Sequence, residues 1–105
     1  MITVRKRSDG RISAIKKALQ AYDAEHPNCR IDLYRQNSVS VKIRIIDPDF
    51  KGVDKGTRHD RVWKYLEDLS EELLSEISIL LLLTPDETAG SFANEDFENP
   101  IPSRL

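Results

Sequence analysis

His26 and Cys29 stand three residues apart, with Asp23 and Glu25 just before them. A thiol beside an imidazole can ionise or hold a metal ion. Pro27 separates the two where a helix gives way to a strand, and metal sites normally need three or four ligands. His26 and Cys29 are therefore weak metal candidates, and an inert helix-end loop is the plainer reading. Asp47, Asp49 and Asp54 resemble part of a calcium loop, but the closing bidentate glutamate is missing at the required offset. Gly52 and Gly56 precede a helix start, where backbone N–H groups favour anions. No Gly-Lys-Ser/Thr follows, so this is not a Walker loop. No pair of residues is placed for acid–base or nucleophilic work, and an enzyme is not expected.

The cations offer another chemistry. Lys42 and Arg44 alternate along a strand pattern, near Tyr34 on the strand before it. Lys55, Arg58, Arg61 and Lys64 follow. A sheet that presents an aromatic ring and two cations can bind single-stranded nucleic acid by stacking and phosphate contacts. A solvated strand face is the simpler expectation. His59 reads either as a partly buried helix histidine or as an exposed donor at a partner surface. Trp63, one helical turn on, lies beside it, and large aromatics near arginines are typical interface anchors.

These residues need elements to position them. Ile12, Ile15, Leu19 and Tyr22 line one helical face. Asp9 can cap that helix and Pro27 ends it. Ile31 and Leu33, then Val39, Val41, Ile43 and Ile45, alternate with polar residues as in an antiparallel hairpin turning at Asn37-Ser38. A second helix runs from about Asp54 to Leu69, with Val62, Leu66 and Leu69 inward. Ser70-Glu71-Glu72 starts a short third helix. Ile77 to Leu83 is an apolar run ending at Thr84-Pro85, read as a buried strand. The order is αββααβ: an α+β domain with a three-stranded mixed sheet and helices on one face.

Composition sets limits. A chain of 105 residues, 39% apolar, builds one core, not two. The net charge of −2 is a sum of unlike parts. Arg5, Lys6, Arg7, Arg11, Lys16 and Lys17 face only Asp9 at the start, whereas Asp86, Glu87, Glu95, Asp96 and Glu98 face only Arg104 at the end. Residues 1–8 read as a flexible basic arm, 9–88 as the domain, and 89–105 as a flexible acidic tail. The apolar run is too short to span a bilayer. The single cysteine and the lack of an apolar leader fit a cytoplasmic location.

Phe50-Lys51-Gly52, the pair Arg58-His59, the apolar face Val62 and Leu66, and the stop Thr84-Pro85-Asp86-Glu87 together resemble the BolA family, over about residues 30–88. The resemblance implies a class II KH-like fold and a non-enzymatic interaction or regulatory module. Phe50, Gly52 and Val62 would be its structural motif, and Arg58, His59 and Trp63 its partner surface. It implies a monothiol glutaredoxin as protein partner. Family members share an iron–sulfur cluster with that partner through a histidine at the last strand and a Cys or His in the hairpin loop. Here those places read Leu74-Ser75-Glu76-Ile77 and Gln36-Asn37-Ser38. No cofactor is therefore expected. The alternative is a KH-like single-stranded nucleic-acid-binding protein using Lys42, Arg44, Lys55 and Arg58. Ile46, Leu80 and Leu82 are expected on the sheet face away from the helices, making a patch covered by a second copy or by the tail from Phe92 to Phe97.

Overall fold

Asp9 accepts hydrogen bonds from the backbone N–H of Arg11 and Ile12, both at 2.9 Å, and so starts α1, Gly10–Glu25. The computed structural model describes residues 1–100. A hairpin follows, formed by β2, Arg30–Asn37, and β3, Ser40–Ile46. Asp47 caps a single helical turn, Pro48–Phe50. Helices α2, Lys55–Leu66, and α3, Glu71–Glu76, start at Asp54 and Ser70. The strand β4, Ile77–Leu83, leads into a second short turn, Pro85–Glu87, capped by Thr84. From α1 to β4 the order is the one the pattern predicts.

The sheet has four strands, not three. Ile2–Val4 forms an edge strand, β1, parallel to β2, with Ile2 opposite Ile31 and Val4 opposite Leu33. The segment 1–8 is thus not wholly a free arm. Ile2 and Val4 lean on the core, and that apolar contact holds the strand. The sheet order is β1-β2-β3-β4, with β2 and β3 antiparallel and β3 and β4 parallel.

Ile12, Ile15, Leu19, Ile31, Leu33, Ile43, Ile45, Val62 and Leu66 are fully buried between the sheet and α1–α2. The hairpin turns one residue later than expected, at Ser38 and Val39. The Asn37 side chain accepts from the Val39 N–H at 2.9 Å, and Val39 is exposed rather than inward.

Helices do not lie on one face only. Phe92–Glu98, expected as flexible tail, forms α4 with Ser91 as its cap. It covers the face of β2 and β3 that bears Tyr34, Lys42 and Arg44, which alternates with the core face. The tail residues 101–105 lie outside the described residues. Leu80 and Leu82 also differ from expectation. They pair with Ile43 and Ile45 and face the helices, while Leu81 and Leu83 pair with Arg44 and Ile46. Among the described residues no helix is long and apolar enough to cross a membrane.

Candidate functional site

The partner residues read from the sequence separate into two kinds. Arg58 is buried and holds the fold together. Its Nε donates to the Val53 carbonyl at 2.8 Å and its Nη1 to the Leu82 carbonyl at 3.1 Å. Its two Nη groups also reach the Glu87 carboxylate at 2.5 and 3.2 Å. One fork thus ties the start of α2, the end of β4 and the turn after it. The Arg58 guanidinium holds Glu87 well below the carboxylate range, at about 2, and the Thr84 backbone bond adds to this. The guanidinium also lies over the buried Phe50 ring, 5.6 Å from its centroid. Gly52 follows in the left-handed region at φ 75°, which accounts for glycine there without any close neighbour. Val62 is fully buried. Arg58 therefore joins Phe50, Gly52 and Val62 as structure.

His59 points outward. It is exposed, and its ring stacks on half-buried Trp63 with centroids 5.4 Å apart and planes 15° apart. Beside this pair runs a groove of about 210 Å³ lined by Lys55, His59 and Leu80 to Leu83. Consecutive strand residues point to opposite faces. A groove lined by four in a row therefore follows the strand's edge. β4 is the last strand of the sheet, so that edge has no partner strand among the described residues. It carries no charge and no proline across Ile77–Leu83, the usual means by which edges are protected.

Of the cations read for nucleic acid, Lys55, Arg61 and Lys64 are exposed, while Lys42, Arg44 and Arg58 are buried. Arg44 is 1% exposed and Lys42 is 6%. Arg44 Nη2 pairs with buried Asp32 at 2.8 Å, and Nη1 meets Asn94 at 2.8 Å and Glu98. Lys42 reaches Asp96 at 3.4 Å. The Tyr34 hydroxyl donates to the Phe97 carbonyl at 2.8 Å, with the rings 4.9 Å apart. Arg5 adds a bond to Glu98 at 2.8 Å. The Arg5 and Arg44 guanidinium groups hold Glu98 down at about 2, with the Arg5 bond the larger cause. The expected solvated face is thus closed. Sequence signals existed for this in Asp96, Phe97 and Glu98, an acid–aromatic–acid triplet that complements Lys42, Tyr34 and Arg44.

His26 and Cys29 do not converge. Cys29 is buried, its Sγ donates to Asp23 Oδ1 at 3.5 Å, and burial pushes its thiol up to about 11. His26 instead meets Asp47 and Asp49 from the turn after β3. Asp54 is elsewhere engaged, accepting from the Thr57 N–H at 2.9 Å and the Thr57 hydroxyl at 2.8 Å as the cap of α2. Sequence spacing grouped Asp47 and Asp49 with Asp54 and left His26 with Cys29, because His26 lies more than twenty residues before the two aspartates. A scan against protein-family models, a search of curated proteins and a search of solved structures each find no match for this chain.

Proposed function

We propose that this chain is a non-enzymatic interaction module of BolA-like character that docks an extended segment of a protein partner along the free edge of β4. The groove beside that edge carries the reading. It offers a row of backbone N–H and C=O groups without a partner strand, of which the Leu82 carbonyl alone is held by Arg58, apolar side chains from Leu80 to Leu83, and a rim of Lys55, His59 and Trp63. Strand addition uses such parts: main-chain bonds for affinity, and side-chain pockets for specificity. The resemblance supplies the partner class, a monothiol glutaredoxin in the cytoplasm. No cluster ligand is assigned to this chain.

The test mixes the full chain with cluster-loaded monothiol glutaredoxin and follows complex formation by calorimetry and absorption. A complex weakened at least tenfold by His59→Ala and by Ile79→Lys is expected, with unchanged cluster spectra. The absence of any complex removes the family-based partner. A complex indifferent to both substitutions removes the β4 edge.

One observation favours a second reading. The α4 side chains sit on Tyr34, Lys42 and Arg44 as a single strand would, with acids for phosphates and Phe97 for a base. Single-stranded RNA or DNA would then bind when α4 leaves. Gel shifts at low salt with Asp96→Asn/Glu98→Gln should show stronger, salt-sensitive binding than the parent chain; no binding by either protein ends this reading.

A further inference from the structure

Asp47 is 0% exposed, and its carboxylate has few ways to balance its charge. The Tyr22 hydroxyl donates to Oδ2 at 2.6 Å, and the Asp49 N–H donates to Oδ1 at 2.9 Å. Both donors are neutral. Among the described residues no lysine or arginine pairs with Asp47; the one basic side chain that reaches it is His26, whose Nδ1 lies 3.1 Å from Oδ2. The same nitrogen lies 2.9 Å from Asp49 Oδ2. One ring nitrogen carries at most one proton, so a single N–H would serve two carboxylates.

The separations also suit a different occupant. A zinc ion about 2.1 Å from nitrogen and oxygen ligands holds them roughly 3 to 3.5 Å apart. The two N···O separations at His26 fall at or near that range, and all three donor atoms lie within 4.8 Å of one another. The surroundings fix the donors. Tyr22 stacks on the His26 ring, with centroids 4.0 Å apart and planes 11° apart, and its hydroxyl orients Asp47. Such outer contacts are what metal ligands need to hold their geometry. Beside the His26 ring lies a cleft of about 310 Å³ lined by Tyr22, His26, Arg61, Lys64 and Tyr65; neither aspartate lines it.

We propose that His26 Nδ1 and the carboxylates of Asp47 and Asp49 form a divalent metal site, with water completing the ligand set. The imidazole selects zinc over magnesium or calcium, which take oxygen ligands. This site is independent of the β4 edge and of the partner proposed for it.

Calorimetry on the full chain with zinc chloride, in a non-chelating buffer at pH 7.5, tests the site. One equivalent should bind the parent chain, with calcium and magnesium inert. His26→Gln and Asp49→Asn should each weaken binding at least tenfold. The Asp49 side chain is exposed and meets only His26 among the described residues, so its removal leaves the fold intact. Cys29→Ser and His59→Ala should bind as the parent does. Cobalt gives a second readout on the unaltered chain, as visible bands of nitrogen and oxygen ligation. No stoichiometric zinc binding, a thiolate charge-transfer band with cobalt, or binding lost in Cys29→Ser and kept in Asp49→Asn would each overturn the site.

Discussion

The Arg44 guanidinium carbon lies over the Phe97 ring, 4.6 Å from its centroid, although 53 positions separate the two residues. That contact joins a buried strand cation to the last helix. It converts a charged sheet face into a second, smaller core, in which Asp32, Glu98 and Asn94 meet the two Nη groups of Arg44, while its buried Nε has no hydrogen-bond partner among the described residues. Burying an arginine is tolerated because its charge is paired and it lies over an aromatic ring.

Phe97→Ala should cost about 3 kcal/mol, the usual effect of emptying a buried aromatic site. Phe97 is 1% exposed and is the one buried side chain of α4. Urea unfolding gives the cost. Native-state hydrogen exchange should show α4 amides opening while those of α1 stay protected.

Arg58 and His59 are neighbours with opposite roles. Arg58→Ala should cost about 3 kcal/mol, because it strips the Glu87 carboxylate and the Leu82 carbonyl of their donor. Arg58→Lys should recover less than half, since an ammonium cannot make the fork. His59→Ala should change stability by less than about 0.5 kcal/mol, as an exposed ring does. Thermal melts of the three variants compare them directly.

Acid should loosen the Arg58–Glu87 pair and the Arg5–Glu98–Arg44 cluster together. Glu87 and Glu98 both have folded pKa values of about 2, below the ordinary 4.5. A depressed carboxylate stabilises the fold above its ordinary pKa and loses that contribution as pH falls through the folded value. Each side chain is 40% exposed, so screening limits each to about 1 kcal/mol. Urea midpoints should therefore fall between pH 4.5 and 2, and Glu87→Gln with Glu98→Gln should flatten that slope.

Removing the exposed strand-edge hydrophobe tests the edge without a partner. Ile79→Lys should leave stability within about 0.5 kcal/mol, because the side chain is already 39% exposed. It should also lower the tendency of the chain to self-associate at high concentration, measured by sedimentation, since a lysine on an edge strand opposes strand pairing.

The helices and the hairpin were readable where polar residues mark the phase of the apolar ones, as for Ile12, Ile15 and Leu19. Leu80 and Leu82 were assigned to the wrong face because period two has no phase inside an all-apolar run. The bulge near Val41 and Lys42, with Ser78 inserted opposite, adds a further shift that no local pattern announces. Ile2–Val4 is three residues long, and its pairing with β2 depends on a distant strand. Lys42 and Arg44 looked solvated because alternation reports two unlike faces and not which of them is wet. The Asp47 corner was half visible: His26 stood out, but its companion appeared to be Cys29, three residues away, instead of two aspartates brought in by the fold.

The placement of α4 also orders events in time. Arg5 is synthesised 93 positions before its partner Glu98. Until that helix emerges, Asp32, Lys42 and Arg44 stand on a finished hairpin with their charges facing water. The nascent domain is therefore a different object from the completed one, cationic on a face that the mature protein hides. Closing it is the longest-range step of folding, and loop closure of that span is slow. A chaperone or nucleic acid that recognises the early face would meet it only during the interval before the last helix docks.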